Sequence, residues 1–469
     1  MLFSSVTFLY WFLPALLAVY FLARGVRAKN LVLLVASLLF YFWGEPKYTL
    51  LLVFSILSGY AHGLLIDKWR GTKKSKLAMI SSVAVSLALL GVFKYADFFL
   101  ATVNGVFGAK LPLLKLALPI GISFYTFQLL SYTIDLYRGS IPVQRNPLTL
   151  ATYVALFPQL VAGPIVRYSA VAEELEQREH TLDGFASGAF RFAVGLGKKV
   201  LLANALGELC AIFKASGERT VLFHWLYAVA FCLHLYYDFS GYSDMAIGLG
   251  RIFGFRFLEN FNYPFVSRSV TEFWRRWHIS LGSWFRDYVY IPLGGNRCKT
   301  GRWLINILVV WLLTGLWHGA GWNFIAWGLM FAVLLAAEKL ILRKPLEKAP
   351  GVVSHAYTML MVLISFVIFD AESLSQAFSR IGGLFGAGAT ALWGVESLYY
   401  LKSYAVLLIA GAVGSTPAVK RLCASLSQRP GPLGTAARAL RPVALAALLL
   451  CCTAYLVDGS FNPFIYFRF

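Results

Sequence analysis

Long apolar runs constrain this chain more than any other feature. Roughly ten to twelve stretches approach the ~20 residues needed to cross ~30 Å of hydrocarbon, some of them short or interrupted by Gly and Pro. They fall at residues 6–22, 31–43, 50–66, 79–93, 148–161, 189–206, 221–237, 305–317, 322–342, 357–369, 404–413 and 443–456. Of the 469 residues, 59% are hydrophobic and only 14% charged, where a soluble domain carries nearer ~25% charged. Inside lipid every backbone N–H and C=O needs a partner within the protein, so only helices and closed barrels can span. A barrel would show short alternating segments. The runs here predict an all-α polytopic membrane protein, read as one transmembrane domain over residues 1–469.

The formal net charge of +20 does not point to nucleic acid, because no basic region outside the membrane pattern interleaves aromatics. The positive-inside rule accounts for most of it. Residues 24–29 and 68–76 (KWRGTKKSK) are basic, whereas 44–47 (GEPK) between them is nearly neutral. Both basic loops are therefore expected in the cytoplasm, with Met1 outside. A third basic connection at 420–441 precedes one last span and sends the tail FNPFIYFRF outside as well, which requires an even number of crossings. The leading MLFSS has no positive side chain, so the first run reads as a span rather than a signal peptide. Six cysteines lie in or beside apolar runs without a CxxC pair or paired histidines, which gives neither a metal site nor a disulfide framework.

Some segments are too polar to span and too apolar to leave the membrane. Residues 119–132 (PIGISFYTFQLLSY) and 157–167 (FPQLVAGPIVR) read as broken or re-entrant helices, tolerated at depth only when buried in protein or lining a cavity. Residues 251–302 contain no spanning run. Between Val270 and Tyr290, apolar residues at helical spacing alternate with Arg275, Arg276 and Arg286, the pattern of interfacial amphipathic helices at the cytoplasmic side.

Histidine carries the chemistry. In LLTGLWHGAGWNFIAW (312–327), His318 stands inside an apolar stretch, where an ionisable group is costly and marks function. Its neutral imidazole would serve as general base, and Gly315, Gly319, Ala320 and Gly321 leave room for another backbone or a substrate. Trp317 and Asn323 are candidate orienting neighbours. His278 follows Trp274, Arg275, Arg276 and Trp277 and precedes Ser280. A cationic, aromatic mouth of this kind, with Arg286, would suit a phosphorylated thioester donor. His62, His180, His224 and His355 sit near span ends or in loops, and His234 beside Asp238, Ser240, Ser243 and Asp244 reads as a structural network. There is no GxSxG elbow, P-loop or HExxH, and Gly248, Gly250 and Gly254 lack the dinucleotide-binding spacing.

Several long motifs occur in one order: FSS near the start, PIGISFYTFQ, FPQLVAGPI, DFSGYSDMAIGLG (238–250), ENFNYPF (259–265), SVTEFWRRWHISLGSWFRDYVYIPLGGNR (269–297), GLWHGAGWNFIAWG (315–328) and FNPFIYFRF. Over nearly its whole length the chain resembles the membrane-bound O-acyltransferase superfamily, in the branch of the bacterial alginate O-acetylation membrane proteins. The resemblance implies a helical bundle with a central funnel or tunnel and His318 of the LWHG motif as catalytic residue. His278 of RRWHIS is implied as the second functional histidine, toward the cytoplasm.

It also implies transfer of an acetyl group from a cytoplasmic thioester, most simply acetyl-CoA, to an extracytoplasmic polysaccharide hydroxyl in a bacterial inner membrane. That transfer runs directly or through a secreted SGNH-type acetyltransferase partner, with no bound cofactor. Either His318 activates the acceptor, or His318 or Ser280 is transiently acetylated. One departure lies in FVIFDAE (366–372), where relatives usually carry an arginine and this chain has Asp370. That leaves alginate, cellulose, peptidoglycan or another exopolysaccharide as acceptor. A transporter or flippase without chemistry, or a scaffold for secreted enzymes, is the competing reading of the composition.

Overall fold

The structure is a computed structural model that describes residues 1–161 and 163–459. The tail FNPFIYFRF, and with it the expected extracytoplasmic C-terminus, lies outside the described residues. Regular structure is helical, and among the described residues the only β contact is an isolated parallel bridge between Thr220 and Ala391. Among the described residues, eight helices are long and apolar enough to cross a membrane: Gly25–Gly44, Pro46–Lys68, Lys73–Phe107, Thr300–His318, Trp322–Lys348, Gly351–Asp370, Val395–Gly414 and Pro432–Asp458. Phe8–Leu22 is apolar but shorter. The protein is thus a polytopic membrane protein with fewer full-length candidates than its apolar runs announce. Run 148–161 breaks at Leu156 into Pro147–Ala155 and Phe157–Leu160. Runs 189–206 and 221–237 belong to helices that bury Lys199, His234 and Asp238.

The described residues gather into two compact units. The first comprises Met1–Phe192 and Tyr242–Leu258, the second Ala193–Gly241 and the described residues from Glu259 onward. In the first, segment 119–132 is not a broken helix: Gly121, at φ +78°, starts a continuous Ile122–Arg138 helix that is buried along most of its length. Two of its hydroxyls are satisfied within the helix, where Ser131 and Thr133 donate to the Gln128 and Leu129 carbonyls at 2.8 and 3.1 Å. This helix packs on Pro46–Lys68, where Gly59 makes room for Leu129 and Gly63 for Tyr132. Segment 157–167 does break. One helical turn gives way to extended chain, tied down where Tyr153 donates to the Val166 carbonyl at 2.9 Å and Phe157 N–H donates to Ser37 Oγ at 3.1 Å.

The second unit has one apolar core, built from residues 203–237, the 265–277 segment and the spans between Thr300 and Asp370. Helices Thr300–His318 and Trp322–Ala337 are joined by the turn Gly319–Ala320–Gly321 and lie very close. A β-carbon on Gly315 would collide with the Phe324 carbonyl, and one on Gly328 with the Trp311 carbonyl, so only glycine lets these backbones approach. Lys199, in a π-helical turn, forms a 2.5 Å ion pair with Asp238, both nearly inaccessible to solvent.

No candidate span lies between residues 253 and 299. Instead there are two short helices, Val270–Arg276 and Ile279–Phe285, and a π-turn Arg286–Tyr290. Their apolar side is turned into the protein: Val270, Phe273 and Trp277 are part of the second unit's core, and Leu281, Trp284 and Phe285 are buried. Arg275 and Arg286 remain exposed.

Candidate functional site

The two helices at 270–285 form a kink around one residue. Trp277 ends the first in an extended conformation, and His278 begins the second at φ +44°, ψ +53°. A left-handed backbone is unfavourable for a residue with a β-carbon and persists where its surroundings over-determine it. Asn260 supplies them. Its side-chain Oδ1 accepts from Ser280 N–H at 3.2 Å and from Ser280 Oγ–H at 2.9 Å, and its main-chain carbonyl accepts from Ile279 N–H at 3.0 Å. His278 Nδ1 lies 3.2 Å from the same Oδ1. An oxygen that takes a backbone N–H is an acceptor, so Nδ1 carries the proton and Nε2 the lone pair. Nε2 is buried without a hydrogen-bond partner. Burial lowers the His278 pKa from 6.5 to about 3, which keeps the ring neutral.

His278 also lines a cleft of about 1060 Å³. Trp274, Trp303 and Trp311 form aromatic wall, and Arg268, Arg275, Arg286, Lys339 and Arg343 bring positive charge. Arg286 is paired with Asp287 at 2.7 Å. Among the described residues Trp274 Nε1 has no hydrogen-bond partner, and it is buried as His278 Nε2 is.

His318 is the last residue of Thr300–His318. It stands at a helix end, at the break between two spans, rather than midway along one. Only 3% of it is exposed, and three rings meet it edge to face: Trp317 and Trp327 at 5.0 Å and Phe369 at 5.3 Å between centroids. The room made by its glycines is occupied by protein, since a β-carbon on Gly319 would strike the Phe324 ring. Asn323 donates from Nδ2 to the Phe369 carbonyl at 3.3 Å and so orients a wall of this box.

Trp317 connects the two sites. Its ring centroid is 5.7 Å from that of His278 and 5.0 Å from that of His318. Of the residues expected at a donor mouth, Trp274, Arg275, His278 and Arg286 line the cleft; Arg276, Trp277 and Ser280 do not. Arg276 is held by Glu272 and the Asn262 carbonyl, and Trp277 packs 5.2 Å from Phe366 in the core. Ser280 serves the Asn260 knot.

The other histidines have structural partners. His234 and His224 face the Ala203 and Thr220 carbonyls at 2.7 and 2.8 Å, His355 the Ser267 carbonyl at 3.0 Å, His62 the Ser58 carbonyl at 2.7 Å, and His180 the Tyr20 hydroxyl at 2.9 Å. Asp370, directly after Phe369, accepts from the Tyr227 hydroxyl and pairs with Lys214 at 2.6 Å and Arg380 at 3.2 Å. Sequence reasoning does not single out Asn260, Trp327, Phe369 or Phe239, whose ring meets that of His278 edge to face at 4.7 Å. Asn260 lay inside the ENFNYPF motif, but only tertiary contact brings it 18 residues forward onto His278.

The chain is similar to known proteins over most of its length. The chain is 40% identical to a protein named probable alginate O-acetylase AlgI from Azotobacter vinelandii, over 100% of both chains. It is 44% identical to the protein of the same name from Pseudomonas aeruginosa, over 83% of this chain and 75% of that one. A peptidoglycan O-acetyltransferase from Helicobacter pylori is 34% identical over 84% of this chain and 81% of its own length. The profile of the membrane-bound O-acyltransferase family matches residues 38–369, a stretch that includes both histidines, the cleft helices and Phe369. The chain belongs to the membrane-bound O-acyltransferase family.

Proposed function

We propose that this O-acyltransferase moves an acetyl group from a thioester donor, most simply acetyl-CoA, to a hydroxyl of an extracytoplasmic polysaccharide. The observation that carries the reading is the pair of buried imidazoles that both meet the Trp317 ring, one of them lining an arginine-rich cleft. The donor enters the cleft from the cytoplasm, its phosphates on Arg268, Arg275 and Arg286 and its pantetheine arm along Trp274 and Trp311. His278 Nε2 faces the thioester end of this path. The acceptor reaches His318 from the opposite side, through the funnel or tunnel expected of the family.

His318 takes the proton of the acceptor hydroxyl as its oxygen attacks the thioester carbonyl. The carbon–sulfur bond breaks, the thiolate leaves, and it is reprotonated. General-base assistance of this kind is worth about 10²- to 10⁴-fold. The names of the relatives at 34–44% identity favour acetyl as the group and an extracellular polymer as the acceptor. Delivery is direct or through a secreted SGNH-type transferase.

The test is the acetyl ester content of the host's extracellular polysaccharide in a deletion strain. The strain is complemented with wild-type protein, His318→Ala or His278→Ala at equal membrane abundance. Wild type is expected to restore acetylation and His318→Ala to abolish it. Full acetylation with His318→Ala refutes the proposal.

A further inference from the structure

Glu338 is a buried carboxylate that the chemistry above does not use, although it lines the same cleft as His278. It stands in a π-helical turn, Glu338–Leu342, that interrupts the helix returning from His318. Such turns reorient side chains and occur often at functional sites. Both of its oxygens are engaged at the start of the Val270–Arg276 helix. Val270 N–H donates to Oε1 at 2.6 Å; Thr271 donates to Oε2 from N–H at 2.9 Å and from Oγ1 at 2.7 Å.

The first N–H groups of a helix have no partner within it, and a carboxylate there is favoured by both the hydrogen bonds and the helix dipole. This helix already has a local cap, since Ser269 Oγ accepts from Glu272 N–H at 3.0 Å. Ser269 answers only the Glu272 N–H, and the acceptors for the Val270 and Thr271 N–H groups come from Glu338, 68 and 67 residues away. Because this cap belongs to another helix, it sets location as well as stability. It fixes a seven-residue helix, too short to hold itself, against a membrane-crossing one. One turn further on, that helix presents Trp274 and Arg275 to the cleft, and it ends against the strained residue His278.

We propose that Glu338 is a positioning residue for the donor: it clamps the Val270–Arg276 helix so that Trp274 and Arg275 face the bound thioester. The inference rests on the donor reading of the cleft. Glu338 touches no reacting atom; its effect passes through the helix it holds.

Two measurements on purified protein in nanodiscs test it: amide hydrogen exchange over residues 270–277, and steady-state kinetics with acetyl-CoA and an oligosaccharide of the host's polymer. Glu338→Ala orphans two N–H groups, so exchange at Val270 and Thr271 is expected to rise about tenfold or more while Thr300–His318 stays protected. Donor KM rises about tenfold, with acceptor KM unchanged and kcat less affected. Glu338→Gln, which keeps one acceptor oxygen, restores part of the donor KM. Thr271→Val, which removes only the hydroxyl bond, gives a few-fold rise and serves if Glu338→Ala does not accumulate.

Unchanged exchange, faster exchange with an unmoved donor KM, or donor and acceptor KM shifting together with a general loss of protection each overturns the proposal. Wild-type protein that does not use acetyl-CoA refutes that donor alone, and the exchange experiment still decides whether the clamp exists.

Discussion

The two histidines are both almost inaccessible to solvent, yet they are held by different means. His278 sits in a polar knot: an amide oxygen fixes its protonated nitrogen, the backbone is forced left-handed, and the residue lines a cleft. His318 sits among ring edges at the end of a span, positioned by packing against Trp317, Trp327 and Phe369. A knot of directed hydrogen bonds sets tautomer and orientation; an aromatic box sets place and excludes water. One imidazole is thus prepared in a single protonation state, while the other is enclosed by rings and kept from water.

Four outcomes would break or sharpen this contrast. The largest effect is expected at His318. His318→Ala should lower acetyl transfer by about 10²- to 10⁴-fold without raising donor KM. A loss confined to donor KM would show the two rings to have been assigned the wrong way round. Next, Asn260→Ala removes the acceptor that holds His278 Nδ1–H and the kink, and should cost about 10- to 100-fold in kcat, as loss of an orienting partner does. Activity within about twofold of wild type would show that the knot is structural only.

A smaller effect belongs to the cleft. Arg275→Ala should raise donor KM up to about tenfold at low salt and less at high salt, because the side chain is exposed and its charge is screened. A salt-independent change would point to packing instead of phosphate recognition.

The smallest effect is in pH. With its folded pKa lowered to about 3, His278 is neutral in the native protein while an unfolded chain protonates near 6.5. The unfolded state then binds more protons between these values, so this residue's contribution to stability is complete above about pH 6.5 and is lost as pH falls toward about 3. Thermal unfolding of wild type should fall more steeply with acidification in that window than that of His278→Gln. Parallel curves would refute a neutral, buried His278.

Much of this was legible in the sequence. The apolar runs require a polytopic helical bundle, and the cost of an ionisable side chain in lipid singles out His318. The same rule, applied to Glu338 inside run 322–342, would have flagged the clamp as well. What the sequence hid follows from tertiary pairing. Segment 119–132 looked broken because it mixes Pro and Gly with apolar residues, yet Pro119 and Gly121 precede the helix, which then runs unbroken from Ile122 to Arg138. Arg276 and Ser280 looked like ligand-binding groups until Glu272 and Asn260 claimed them. The glycines around His318 announced a close approach, but not that a helix backbone and Phe324 would fill the space.

Asp370 stands where the resemblance leads to the expectation of an arginine, and its place in the fold gives that difference a setting. The carboxylate is shared by Lys214, Arg380 and the Tyr227 hydroxyl. Its main-chain neighbour Phe369 forms one wall of the His318 box. A change of charge here is therefore balanced locally by two cations.

Trp317 meets both imidazole rings with a single indole, itself only 4% exposed. A cell that stores energy as an ion gradient across its membrane cannot tolerate an enzyme that opens a wire of water from one face to the other. A buried indole packed against both imidazoles leaves almost none of its own surface to such a wire at this point.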